Sequence, residues 1–96
     1  MGTIMTLLKV TQALENFDKE DTIYATKPWT ENSKAIVLRE PESGELPTIA
    51  KELDLKYFLE IFIAHDFITE WTSSLNALPT LQEKCSRLIQ YANCDS

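Results

Sequence analysis

Apolar and polar positions follow three different rhythms along the chain, and each rhythm implies a backbone. Leu7, Val10, Leu14 and Phe17 recur at helical spacing, with Thr6 placed to cap the first turn, which predicts a helix over 6–17. The run Asp18-Lys19-Glu20-Asp21 ends it. Residues 22–26 predict a short strand with Ile23 and Tyr24 on opposite faces. Lys27-Pro28-Trp29 breaks that strand, because proline brings no ladder donor. The Ala-Ile-Val-Leu run inside 34–39 predicts a buried strand. Pro47 suits the first turn of a short helix whose apolar side is Ile49, Ala50 and Leu53. Residues 56–63, rich in aromatic and β-branched side chains, give the strongest strand signal. His65 or Asp66 is then expected to open a helix with Phe67, Ile68, Trp71 and Leu75 on one face. Leu78-Pro79 separates it from a last helix. That helix starts on the capping box Thr80-Leu81-Gln82-Glu83 and buries Leu81, Cys85, Leu88 and Ala92, with Ile89 beside them.

The expected order is therefore α-β-β-α-β-α-α. It describes an α+β domain spanning residues 1–96, with 1–5 as an N-terminal extension and a three-stranded sheet packed against helices on one face. The helix between the second and third strands permits a parallel crossover, so a mixed sheet is compatible with the pattern. Alternation along the third strand places Tyr57, Leu59, Ile61 and Ile63 on one face and Phe58, Glu60, Phe62 and Ala64 on the other. Both faces are largely apolar, which calls for cover on both sides. Helices of the same chain are the simpler cover; a second copy meeting the aromatic face is the alternative.

Composition narrows the function classes. The chain has 96 residues, 44% hydrophobic and 25% charged, which suits one globular domain. Only two glycines are present, against any phosphate-cradling glycine loop. A single histidine, His65, and two cysteines, Cys85 and Cys94, leave too few ligands for the common metal sites. No cofactor motif is present. The net charge is −6, divided equally between residues 1–48 and 49–96, and Arg39 and Arg87 are the only arginines. Binding to a phosphate backbone or an anionic membrane needs clustered cations, so neither is expected. A negative field steers toward a basic protein, although mild acidity also serves plain solubility. On one helix the two cysteines would stand about 13 Å apart, too far for a disulfide. That and the missing leader pattern point to a reducing cytoplasm. No apolar run approaches the about 20 residues of a membrane helix. Met1-Gly2-Thr3-Ile4-Met5-Thr6 fits the myristoylation pattern, but no second membrane signal accompanies it, and chance or an extension before a native start at Met5 is the preferred explanation.

Candidate chemistry is sparse. Glu60 between two phenylalanines is expected to have a raised pKa, suited to a general acid, yet no partner is fixed by spacing; a surface glutamate paired with lysine is the plainer reading. His65-Asp66 resembles the H-D pair of metal phosphohydrolases, but such sites need at least one more histidine and the chain has none; capping accounts for the pair. Cys85 on a core stripe is expected to be inert. Trp29 either folds back on the core or anchors a partner, and Trp71 is expected in the core. The acidic runs at 18–21 and 40–45 lack the calcium-loop spacing.

The layout Asp21-Thr22-Ile23-Tyr24-Ala25, Pro28-Trp29, Tyr57-Phe58-Leu59-Glu60-x-Phe62-Ile63-Ala64, Phe67-x-x-x-Trp71 and Leu81-x-Glu83-Lys84 resembles a family of short bacterial proteins of unestablished function. The resemblance spans about residues 6–94 and implies a bacterial single domain; it brings no activity, ligand or catalytic residue. The leading expectation is a non-enzymatic, acidic protein-interaction domain whose partner is a basic protein or a second copy. Tyr24, Trp29, Phe58, Glu60 and Phe62 are its candidate contact residues. An immunity protein that neutralises a basic bacterial toxin is a sharper version. A small enzyme, or a subunit of one, using Glu60 and His65 is the rival.

Overall fold

A computed structural model describes residues 3–95. Thr80 and Glu83 form the expected capping box: Glu83 N–H donates to Thr80 Oγ1 at 3.1 Å and Thr80 N–H to Glu83 Oε1 at 2.7 Å. The helix it starts is α4, Leu81–Asp95, which buries Cys85, Leu88 and Ala92 as the stripe predicts. Thr6 likewise caps α1, Leu7–Gln12, through Lys9 N–H. This helix is shorter than its pattern. At Ala13 the N–H is shared between the Lys9 and Val10 carbonyls, and the chain tightens into a 3-10 turn at Leu14–Asn16. Leu7, Val10 and Leu14 are buried all the same.

The sheet has four strands: β1 (Met5–Thr6), β2 (Asp21–Ala25), β3 (Lys34–Arg39) and β4 (Lys56–Glu60), in the order β1-β3-β2-β4. The sheet therefore has one strand more than the expected three. The additional strand β1 is only two residues long, too short to leave a period; it pairs Met5 with Ala35 and Thr6 with Lys34. The element order accordingly begins with a strand. Every pairing is antiparallel, so the sheet is not mixed. The link through α2, Thr48–Glu52, does carry the chain from β3 to β4 in the same direction, but β2 lies between them, hydrogen-bonded to both.

Residues 61–63 do not extend the third strand as their composition predicts. The strand stops at Glu60, and Ile61–Ser73 is helix α3, with Glu60 in extended backbone as its N-cap. His65 and Asp66 therefore lie in its second turn and cap nothing. Side chains of Ile61, Ala64, His65, Ile68 and Thr72 share the inward stripe of this helix. Ile61 and Ala64 are fully buried, and His65 Nδ1 and Thr72 Oγ1 are shielded from water. Two polar residues thus interrupt the stripe and hide its period. The stripe expected instead is half-buried: Phe67 stacks on Tyr91 at 4.4 Å, Trp71 lies under Arg87 at 5.7 Å, and Leu75 is exposed.

Helices cover both sides of the sheet rather than one. On one face Ile23, Ala25, Ala35 and Val37 pack with Leu7, Val10, Ile61, Ala64, Cys85 and Leu88 from α1, α3 and α4. On the other, Tyr24 and Ile36 pack with Ala50 and Leu55 from α2 and its exit. That exit closes as a Schellman motif. Leu55 N–H donates to Ala50 C=O at 2.8 Å and Asp54 N–H to Lys51 C=O at 3.3 Å, with Asp54 at φ +58°. No helix among the described residues is long and apolar enough to cross a membrane.

Candidate interaction surface

Strand β4 lies at one edge of the sheet and carries most of the candidate residues, but not with simple alternation. Leu59 pairs with Ile23 and Tyr57 with Tyr24, so Phe58 is the extra residue of a β-bulge. The bulge lets Phe58 and Leu59, neighbours in sequence, both enter the main core. Tyr57 stays on the side of Tyr24 and is 42% exposed.

The five candidate contact residues therefore separate. Tyr24, 1% exposed, belongs to the smaller cluster beneath α2. Phe58, 2% exposed, meets Trp29 edge-on at 4.9 Å between ring centroids. Trp29 is buried with it: its loop folds back, the indole N–H donates to Ala25 C=O at 3.3 Å, and Lys27 Nζ lies 4.7 Å from the ring. Glu60 and Phe62 reach the surface, Glu60 half-buried and Phe62 44% exposed in the first turn of α3. Glu60 is not flanked by phenylalanines; its carboxylate accepts a hydrogen bond from the Tyr57 hydroxyl at 3.3 Å.

Tyr57 is an exposed aromatic that sequence reasoning did not single out, together with the exposed Ile49 and Leu53 at α2. Their apolar character was visible, but the bulge and the shallow cover given by a five-residue helix were not. Around them the charge is lopsided. Residues 40–60 hold six acids and two lysines, a net of −4 within the total of −6. Lys51 reaches Glu45 at 4.0 Å and Lys56 reaches Asp54 at 3.3 Å. Glu40, Glu42, Glu52 and Glu60 make no ion pair among the described residues. By contrast, the acidic run at the start of β2 is occupied: Arg39 bonds Asp21 at 3.0 Å and Asp18 at 3.2 Å, and Glu20 lies 3.8 Å away. The Asp21 hydrogen bond, with the neighbouring charges, raises the Arg39 pKa further.

The enzyme candidates do not converge. His65 lines a cavity of about 280 Å³ whose walls do not include Glu60. Burial pushes the Cys85 thiol up from 9.0, against reactivity, and both cysteines are free. No group of three or more His, Cys, Asp or Glu that could hold a metal ion occurs among the described residues. Gly2 of the myristoylation pattern lies outside the described residues. No known family model, curated protein or solved structure matches the chain.

Proposed function

We propose that this chain is a protein-interaction domain that docks a basic protein along the β4 edge and the segments flanking it. One observation carries the reading. Ile49, Leu53, Tyr57 and Phe62 are exposed within the stretch that also supplies Glu40, Glu42, Glu52 and Glu60 without ion-pair partners. Aromatic and aliphatic side chains supply anchoring area, and the carboxylates steer a cationic partner and set its orientation. A second copy is the weaker occupant, since it would bring the same carboxylates against these. Strand addition is also the weaker mode: β1 is two residues long, and β4 is bulged and begins with a lysine, features that blunt a sheet edge.

The test is capture from native lysate by the immobilised chain, identification by mass spectrometry, and titration of the purified captured protein. We expect that protein to be basic, with affinity that falls steeply with salt. Tyr57→Ser and Phe62→Ser should weaken it by about ten-fold or more without changing stability. An acidic or neutral partner, or equal binding by both variants, refutes the reading. So does a dimer of the free chain that Phe62→Ser dissociates.

A further inference from the structure

The His65 cavity lies between the end of α1, the 3-10 turn, α3 and α4, apart from the β4 edge. Its volume of about 280 Å³ corresponds to roughly nine waters at liquid density, which suits a ligand of about that many non-hydrogen atoms. Two opposite charges stand on its walls: Glu15 from the 3-10 turn and Lys84 from the first turn of α4. Neither forms an ion pair, with each other or with any described residue. His65 Nδ1 is shielded from water and makes no hydrogen bond among the described residues, with Asp66 Oδ1 3.9 Å away. The side chains of Gln12 and Thr69, also in the wall, form no hydrogen bond among the described residues. Leu14 and Ile68 add an apolar surface.

We infer that this cavity binds a small zwitterion of the free α-amino-acid class. A simple anion placed there faces the Glu15 carboxylate, and a simple cation faces the Lys84 ammonium. A molecule carrying both charges satisfies both walls, its carboxylate toward Lys84 and its ammonium toward Glu15. Leu14 and Ile68 favour an aliphatic side chain on the ligand.

The experiment is calorimetric titration of the full chain with each proteinogenic amino acid, and with the N-acetyl and carboxamide forms of the best one. An aliphatic amino acid should bind with a Kd of about 1 mM or tighter, and each half-blocked form about ten-fold more weakly. Lys84→Met and Glu15→Gln should each weaken binding about ten-fold or more, with circular dichroism showing both folded. The inference is overturned if no amino acid binds, if the blocked forms bind as well as the parent, or if either variant binds unchanged. Phe62→Ser should bind the ligand normally, so failure here is separate from failure of the docking surface.

Discussion

Replacing Tyr24 with phenylalanine removes one oxygen and no carbon, from a side chain that is 1% exposed. The hydroxyl has no hydrogen-bond partner within bonding distance among the described residues, although Thr22 lies close enough to act on it. Burying a hydroxyl unpaired costs about 1–3 kcal/mol by mutational standards, and the phenyl ring keeps every apolar contact in the cluster with Ile36, Ala50 and Leu55. Because Thr22 lies close enough to favour the phenolate slightly, the lower end applies, and Y24F should stabilise the chain by about 1 kcal/mol. For a domain of this size that raises the Tm by about 4–8 °C. The same site controls alkaline behaviour. Burial, followed by the charge of Glu40, lifts the Tyr24 pKa above 10.0, with Glu60 adding to it. Above pH 10.0 the unfolded chain releases this proton while the folded chain keeps it, so stability falls as pH rises toward the folded value. Y24F should lose stability less steeply there, the other titrating groups being common to both proteins. Urea titration followed by tryptophan fluorescence, on either side of pH 10.0, measures both effects. A loss of about 1 kcal/mol or more in Y24F at neutral pH refutes the argument, because it shows the hydroxyl to be bonded in the fold.

Two further substitutions test local structure. Asp54 occupies the left-handed position of the Schellman motif, where glycine is free of the Cβ penalty. Asp54→Gly should gain about 0.5–1 kcal/mol and Asp54→Ala should lose stability, and urea midpoints that rank them the other way contradict the cap assignment. Thr80→Ala removes the hydroxyl that accepts Glu83 N–H and should cost about 1 kcal/mol, whereas Glu83→Gln keeps the reciprocal bond and should stay within about 0.5 kcal/mol of the parent. Thermal denaturation of both variants checks this.

What the amino-acid order determined by itself is everything with a local cause. The capping box at Thr80 and the Leu81–Ala92 stripe specify α4 because both the cap and the apolar period lie within a few residues. The continuous apolar run Ala-Ile-Val-Leu placed β3 at 34–39, and proline at 28 closed the strand before it. Cys85 was legible as an inert core thiol for the same reason. Only the tertiary structure decided the identity of residues 61–63. Ile-Phe-Ile favours a strand locally, but packing Ile61 and Ala64 against the sheet outweighs that preference, and His65 and Thr72 mask the helical period. Strand order was equally beyond local reach, since β2 enters between β3 and β4 through pairings distant in sequence. The exposure of the candidate residues was decided in the same way. Tyr24, Trp29 and Phe58 are aromatic for the core's sake, and a bulge opposite Ile23 and Tyr24, which leaves no periodic trace, puts Tyr57 at the surface. Burial is a property of the three-dimensional neighbourhood, and one residue of slip in a strand exchanges its inside for its outside.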